Sequence, residues 1–201
     1  MSVMKRVYLF KGFLRFWHWS QAALIIFMAL TGFEIHGSYT LFGFEDAVSL
    51  HRASAWILIA LWTYANFWHL ITGEWKQYIP TGEKFTAMIL YYSLGIFRQS
   101  PHPFRPVPLN KHNPLQRVAY LFFKGAITPL IWASGLLYLS YDIWGILGLD
   151  GLSLGWVALV HTLAAYLLLT FLAAHLYLIT TGHTVISQLK AMITGWDEVE
   201  E

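Results

Sequence analysis

Two histidines bound a long uncharged stretch near the C-terminal end of the sequence, HTLAAYLLLTFLAAH, at residues 161–175. Imidazole is a common metal ligand and proton carrier, and an ionisable side chain inside an apolar segment is costly and usually functional. On an α-helix, His161 and His175 would lie within about 40° of the same face and about 21 Å apart along the axis. Both side chains would therefore face the same neighbour, one toward each end of the helix.

Two further histidines lie at matching depths in other apolar segments. His51 begins one segment, in SLHRAS, and His18 lies early in another, in RFWHWS. We therefore predict two pairs, His51 with His161 and His18 with His175, one near each surface of a membrane. A pair of axial imidazoles on haem iron would offset the cost of burying histidine in hydrocarbon. Two haems about 20 Å apart would form an electron path across the bilayer.

Other interpretations of these histidines remain open. A single buried histidine more often makes a hydrogen bond between helices. A proton or metal-ion transporter could also use these side chains, although the segments hold almost no carboxylate. His69, in NFWHLITG, lies eighteen residues after His51 and on the same helical face. It competes with His18 as a ligand, but we prefer His18, because pairing His69 would give unequal separations of about 27 Å and 21 Å.

The composition is that of a membrane protein. Of the 201 residues, 57% are hydrophobic and 12% are charged, about half the charged fraction of an ordinary soluble domain. Cysteine is absent, which excludes disulfides, cysteine-ligated iron–sulfur clusters and covalently attached c-type haem. A net charge of +2 gives no argument for a nucleic-acid partner. Histidine is then the strongest ligand available for a bound metal.

Four segments are long enough to cross a bilayer, which requires about 20 mostly apolar residues. These spans are approximately 13–33, 51–71, 115–140 and 154–180. A fifth segment, at 85–97, has thirteen residues and is predicted to lie in the membrane interface as a short amphipathic helix. The predicted fold class is all-α, a single-domain integral membrane four-helix bundle over residues 1–201.

The distribution of Lys and Arg predicts the orientation. Most of them lie in two regions: before or at the start of the first span, and between the second and third spans or just inside the third. The connections between spans one and two and between spans three and four contain Arg52 and five carboxylates. The positive-inside rule then places both termini and the long central connection in the cytoplasm. No small-residue cleavage site follows the first span, so we expect that span to be retained.

The residues around these histidines resemble the cytochrome b subunits of respiratory formate dehydrogenase, nickel–iron hydrogenase and thiosulfate reductase, in the bacterial cytochrome b561 superfamily. The matching motifs are RFWHW, LHRAS, KHNPLQRVAY and VHTLAAYLLLTFLAAHLYLITTGHT, followed by ISQLKAMITGW. KHNPLQR and TTGHT are most similar to the thiosulfate or tetrathionate reductase type. The resemblance implies a multi-pass dihaem cytochrome b in the bacterial inner membrane, in contact with lipid.

The resemblance also implies site residues. His18 and His175 would hold one haem b on the cytoplasmic side, and His51 and His161 a second on the periplasmic side. A menaquinone or ubiquinone site would lie beside the cytoplasmic-side haem, with Asn113 of KHNPLQR contributing to it. Further candidates by position are Gln116, His69, Arg117 and His112 for the quinone, and Arg15, Arg52 and His183 for the haem propionates.

We therefore predict an electron-transfer subunit of an oxidoreductase complex. It would carry electrons between the quinone pool and an extracytoplasmic partner, either an iron–sulfur or a multihaem cytochrome c subunit. The oxidation or reduction of quinone would be the only reaction that this subunit carries out itself. One alternative is a stand-alone cytochrome b561-type quinone reductase without a partner. The histidine-lined transporter is the second.

Overall fold

A computed structural model describes residues 4–98, 100–108 and 110–200. The helices are α1 (Gly12–Ile35), α2 (Phe44–Thr72), α3 (Phe85–Arg98), α4 (Pro114–Leu139), α5 (Leu154–Thr181) and α6 (Ser187–Thr194). Short 3-10 turns lie at Glu74–Tyr78 and Tyr141–Ile143. The strands are β1 (Met4–Tyr8) and β2 (Trp196–Glu200), which pair antiparallel.

Each predicted span coincides with one long helix. Within the described residues, α1, α4 and α5 are long and apolar enough to cross a membrane. The 29 residues of α2 are also long enough, but their apolar character is diluted by polar aromatic residues and by Asn66 and His69. The short segment predicted to lie in the interface forms α3, whose second half is a π turn followed by a 3-10 turn.

A π turn at Phe123–Ile127 interrupts α4 just before Pro129. Proline has no N–H to donate and its ring clashes with the carbonyl four residues earlier, so a regular α-helix cannot continue through it unchanged. The wider turn absorbs this mismatch, and α4 continues to Leu139.

The terminal strands were not predicted, and they are the part of the fold that the all-α prediction missed. Tyr8 pairs with Trp196, and Met4 with Glu200. Gly195, at the end of α6, has φ +90, and a Cβ there would lie 2.5 Å from the Tyr8 ring. Only glycine combines this left-handed conformation with so close an approach.

Large apolar side chains point outward from the long helices, and small ones lie inside. Leu70, Ile71 and Trp156 are each about two-thirds exposed, whereas Ala47 and Ala164 are fully buried. This reverses the pattern of a water-soluble protein. It is the pattern of helices that pack through small residues and present large apolar ones to lipid.

The chain divides into two compact units. The first unit comprises residues 1–15, 72–126 and 170–201, and the second comprises residues 16–71 and 127–169. In the second unit, the Glu34 carboxylate accepts 2.7 Å hydrogen bonds from the backbone N–H groups of Leu41, Phe42 and Gly43. These bonds fix the turn that leads from α1 into α2.

Glu74 is the centre of a charged cluster in the first unit. Its carboxylate lies 2.8 Å from the Lys11 ammonium and 3.0 Å from that of Lys111, and it accepts a 2.6 Å hydrogen bond from the Gln77 amide. Burial alone would raise the pKa of Glu74, but the hydrogen bonds from Lys11 and Lys111 outweigh it and lower the pKa. The cluster ties the N-terminal segment and the central connection to the turn after α2.

Acid should weaken this cluster. Because the folded-state pKa of Glu74 is lowered, its stabilisation is complete above the ordinary glutamate pKa and is lost as the pH falls through the lower value. Glu74→Gln should destabilise the protein at neutral pH by about 2–4 kcal/mol, because Lys111 would lose its buried counterion.

The thermal unfolding midpoint in detergent, measured across the acid range, checks this. The Glu74→Gln variant should lose less stability on acidification than the parent protein, and Glu83→Gln, at an exposed position, should behave like the parent. Parallel pH curves for Glu74→Gln and the parent would contradict the assignment.

Candidate functional site

His51 of α2 and His161 of α5 face each other in the second unit. Their ring centres are 6.3 Å apart, and the ring planes are inclined by 71°. Both residues are half-buried. This is one of the two pairs predicted from the sequence, and it lies inside a single compact unit.

Each of these imidazoles has a hydroxyl partner on a neighbouring helix. His51 Nδ1 lies 2.9 Å from Thr31 Oγ1, and His161 Nδ1 lies 3.0 Å from Ser134 Oγ. Each hydroxyl donates to backbone carbonyls of its own helix. Thr31 donates to Phe27 and Met28, and Ser134 donates to Leu130 and Ile131. Each Nδ1 therefore carries the proton and donates, which leaves the Nε2 lone pair for another partner.

A glycine lies against each ring. A Cβ at Gly32 would lie 3.6 Å from His51 Cε1, and one at Gly135 would lie 3.5 Å from His161 Cε1. Any longer side chain at these positions would press on the imidazole. Glycine at positions 32 and 135 therefore leaves space beside each imidazole ring.

The spacing of the two rings fits a metal ion bound between them. An imidazole nitrogen lies about 2 Å from a metal that it binds, so two rings on opposite sides of one ion have centres roughly 6 Å apart. The observed 6.3 Å matches this distance. Two neutral imidazoles, each with its second nitrogen hydrogen-bonded, form the donor set of a bis-histidine haem iron.

The other predicted pair is divided between the two units. His18 lies in α1 and contacts the Trp19 ring edge-to-face, in the second unit. His175 lies fourteen residues after His161 in α5, in the part of that helix assigned to the first unit. Their assignment to one cofactor stays a prediction.

His69, the competing ligand, is buried near the end of α2. Its Nδ1 lies 2.7 Å from the Ala65 carbonyl one turn earlier, and its ring packs against Trp17 and Trp68. A histidine bonded to its own helix in this way is held by packing.

The candidates for propionate contact lie in different settings. Arg15 Nη1 donates a 2.5 Å hydrogen bond to the Ile193 carbonyl in the last turn of α6. Arg52 is exposed beside His51. His183 is exposed and lies 3.9 Å from the Glu198 carboxylate. Of the three, Arg15 has a partner that already accounts for its position.

Asn113 and Gln116 form a capping box at the start of α4. Asn113 Oδ1 accepts from the Gln116 backbone N–H at 2.8 Å, and Gln116 Oε1 accepts from that of Asn113 at 2.9 Å. The Asn113 amide Nδ2 makes one long contact, 3.5 Å to the Tyr92 hydroxyl. The side-chain oxygens of both residues are therefore engaged by the helix end, which leaves their amide hydrogens as the groups that can bind a quinone carbonyl.

His112 lies in an aromatic cluster of the first unit. Its ring stacks on Tyr78 at 5.1 Å and meets Tyr120 edge-to-face at 5.0 Å, and the Lys124 ammonium lies 4.0 Å from the Tyr78 ring centre. Burial, with Lys111 and Arg117 nearby, lowers the pKa of His112 to about 4. Burial also raises the pKa of Tyr78. His112 is therefore neutral at physiological pH, and among the described residues its Nδ1 has no hydrogen-bond partner.

Arg117 is buried, and the acceptors of its guanidinium are oxygen atoms. Its guanidinium donates to the carbonyls of His112 and Ile79, at 3.1 and 2.8 Å, and to the Asn110 side chain. These contacts hold the central connection against the start of α4. The predicted candidates Arg117, His112 and Asn113 thus lie close together, with structural roles of their own.

Sequence reasoning missed the hydroxyl and glycine partners of the histidine pair. Thr31–Gly32 and Ser134–Gly135 are both hydroxyl–glycine dipeptides within apolar helices, and this shared pattern was the available signal. It also missed Tyr78, Tyr120 and Lys124. These lie near His112 only after the central connection has folded back.

Residues 9–195 match the family described as "Prokaryotic cytochrome b561". The chain is also similar to "Putative cytochrome YdhU" of Escherichia coli strain K12, with 29% identity over 199 residues, which cover 96% of this chain and 75% of that protein. No solved structure matches.

The family match confirms the resemblance seen in the sequence. It favours haem over the transporter alternative, because cytochromes b carry electrons on haem b. With its long apolar helices, the chain belongs to the prokaryotic cytochrome b561 family, as a multi-pass membrane cytochrome b that binds haem b and takes part in electron transfer.

Proposed function

We propose that this protein binds two b haems and carries electrons between the quinone pool and an extracytoplasmic redox partner. The observation that carries the proposal is the facing His51–His161 pair, with its ring centres 6.3 Å apart and a hydroxyl on each Nδ1. Haem bound there would supply one-electron chemistry. The partner is an iron–sulfur or multihaem cytochrome c subunit.

The second haem is assigned to His18 and His175. His175 lies about 21 Å along α5 from His161, which separates the two ligands by most of the hydrocarbon thickness. His18 is preferred to His69 because the Ala65 carbonyl and two tryptophan rings already account for the position of His69. The resemblance to dihaem cytochromes b supports the same choice.

The proposed membrane is the bacterial inner membrane, with four spans and both termini in the cytoplasm. The hydrogen bonds between β1 and β2 support an arrangement with both termini on one side of the membrane. Termini on one side require an even number of membrane crossings. Because α1, α4 and α5 are three, this supports α2 as the fourth span. The concentration of Lys and Arg before α1 and between α2 and α4 places that side in the cytoplasm.

The proposed quinone site lies beside the start of α4, within reach of the Asn113 amide. The buried neutral His112 and the Tyr92 hydroxyl, which lies 3.5 Å from Asn113 Nδ2, provide further polar groups in the first unit. The neutral His112 imidazole can accept a hydrogen bond from a quinol hydroxyl. Menaquinone and ubiquinone both present carbonyl oxygens that an amide can bind.

The haem assignment predicts selective losses. His51→Ala and His18→Ala should each remove one haem, so the haem content per chain should fall by half. His69→Ala should retain both haems, and His102→Ala, at an exposed loop position, is the matched control. A pyridine haemochrome assay with reduced-minus-oxidised spectra measures this. Haem loss from His69→Ala with retention in His18→Ala would reverse the ligand choice.

The orientation predicts which loops a membrane-impermeant thiol reagent can reach. The chain has no native cysteine, so each introduced cysteine reports on one position. Ser38→Cys and Ser153→Cys should be labelled in intact spheroplasts, whereas Glu83→Cys and Thr184→Cys should be labelled only after permeabilisation. All four positions are exposed. Labelling of Glu83→Cys without permeabilisation would invert the topology.

The quinone site predicts different results for two substitutions of Asn113. Asn113→Asp keeps an oxygen to cap α4 and loses the amide donor, so it should weaken quinol affinity by up to about tenfold with little loss of stability. Asn113→Leu should lose the cap as well, at about 1 kcal/mol.

Turnover with a menaquinol analogue and thermal unfolding separate the two effects, and both haem spectra should stay intact. Glu83→Gln, at an exposed position of the same unit, is the control and should leave quinol turnover unchanged. Normal turnover in Asn113→Asp would exclude its amide from the site.

A further inference from the structure

We propose that Thr31–Gly32 and Ser134–Gly135 are matched positioning elements for the two axial imidazoles, and that their hydroxyls set the reduction potential of the haem held there. This inference rests on the proposed function, since it takes His51 and His161 as the ligands of one haem. It adds four residues on two further helices to that site.

The two elements repeat one spacing in unrelated helices. In α1, Met28, Thr31 and Gly32 lie at positions i, i+3 and i+4, and the His51 ring hydrogen-bonds the Thr31 hydroxyl, which itself donates to the Met28 carbonyl. In α4, Ile131, Ser134 and Gly135 have the same spacing, and the His161 ring hydrogen-bonds the Ser134 hydroxyl, which itself donates to the Ile131 carbonyl. Each ring is thus held by a hydroxyl that is anchored to its own helix, and each lies beside a glycine.

Both hydroxyls are sealed from water. Thr31 is 0% exposed and Ser134 is 2% exposed. A lost hydroxyl could not be replaced by solvent, so its removal would take away the hydrogen-bond acceptor of the imidazole N–H. The hydroxyls therefore determine how strongly each Nδ1–H is held.

The strength of that hydrogen bond affects the iron through the ring. An acceptor on Nδ1–H makes the imidazole a more basic ligand, which favours the ferric over the ferrous state. A hydroxyl is a neutral acceptor and raises ligand basicity less than a carboxylate would. Removing it should therefore raise the reduction potential of this haem and leave the other haem unchanged.

The substitutions Thr31→Val and Ser134→Ala test the hydroxyls in the full-length protein. The ferrous-to-ferric ratio of one haem, at a fixed applied potential, should rise up to about tenfold, which corresponds to 59 mV for one electron. The electron paramagnetic resonance signal of the same haem should shift as its ring planes turn. Thr31→Ser restores the hydroxyl and should restore both readouts.

Matched controls are available in neighbouring helices. Thr63 in α2 donates a 2.8 Å hydrogen bond to the Ile59 carbonyl, and Ser140 at the end of α4 donates one of 3.2 Å to Leu137. Thr63→Val and Ser140→Ala remove the same groups without touching an imidazole. They should leave both potentials unchanged.

The glycines give a graded test of ring position. Gly32→Ala would place a Cβ at an ordinary contact distance, 3.6 Å from His51 Cε1, and should leave the resonance signal close to that of the parent. Gly32→Leu should displace the ring and shift the signal or weaken haem retention by about 10–100-fold. Gly125→Leu is the control, because a Cβ there meets no atom within 4 Å.

The outcomes separate this inference from the proposed function. Unchanged potential and resonance in both Thr31→Val and Ser134→Ala, with both haems present, would overturn the inference and leave the ligands standing. Retention of both haems in His51→Ala would overturn the ligand assignment itself. If Thr31→Val loses a haem, Thr31→Ser must retain it; a serine variant that also loses the haem would overturn the role of the hydroxyl.

Discussion

A histidine inside a membrane helix has two ring nitrogens, and both need a partner. In the second unit this requirement is met by one polar side chain from each long helix. α1 supplies Thr31, α2 supplies His51, α4 supplies Ser134 and α5 supplies His161, and each hydroxyl satisfies one ring nitrogen. The remaining nitrogen of each ring is then available for a metal. We propose that the haem b bound by this family completes the arrangement.

The rest of the second unit keeps these four side chains in register. Small buried residues allow the helices to approach closely, and large apolar residues face outward. Glu34 holds the turn between α1 and α2 through three backbone N–H groups, which fixes how far Thr31 and His51 are offset along their helices. A carboxylate bonded in this way has its charge offset by aligned backbone donors, so its burial in this unit is tolerable.

Much of this arrangement could be predicted from the sequence, because the dominant signals are local. Apolar runs of span length indicated the four long helices, and the spacing of His161 and His175 within one run indicated the shared face. The pairing of His51 with His161 followed from depth alone, and the structure brings these two rings together. The pairing of His18 with His175, the bundle of four spans and the single domain stay predictions.

Other features could not be predicted, because they depend on contacts between distant parts of the chain. The strands β1 and β2 are each five residues long and lie at opposite ends of the sequence. Glu74, Lys11 and Lys111 meet only after the chain has folded. By contrast, the capping box follows from local sequence: Asn113 is followed by Pro114 and, three residues on, by Gln116, a pattern that predicts the start of a helix.

The two units differ in the chemistry that their described polar groups can support. In the second unit the groups around the histidine pair are neutral hydroxyls and backbone carbonyls, which can orient an imidazole and have no proton to exchange near neutral pH. The first unit contains the ionisable side chains of Glu74, His112 and Tyr78, whose shifted pKa values keep Glu74 charged and the other two neutral at physiological pH. Electron transfer alone needs no titratable groups, whereas quinone redox moves protons with its electrons. This contrast is why we assign the quinone reaction to the first unit and reserve the His51–His161 pair for electron transfer.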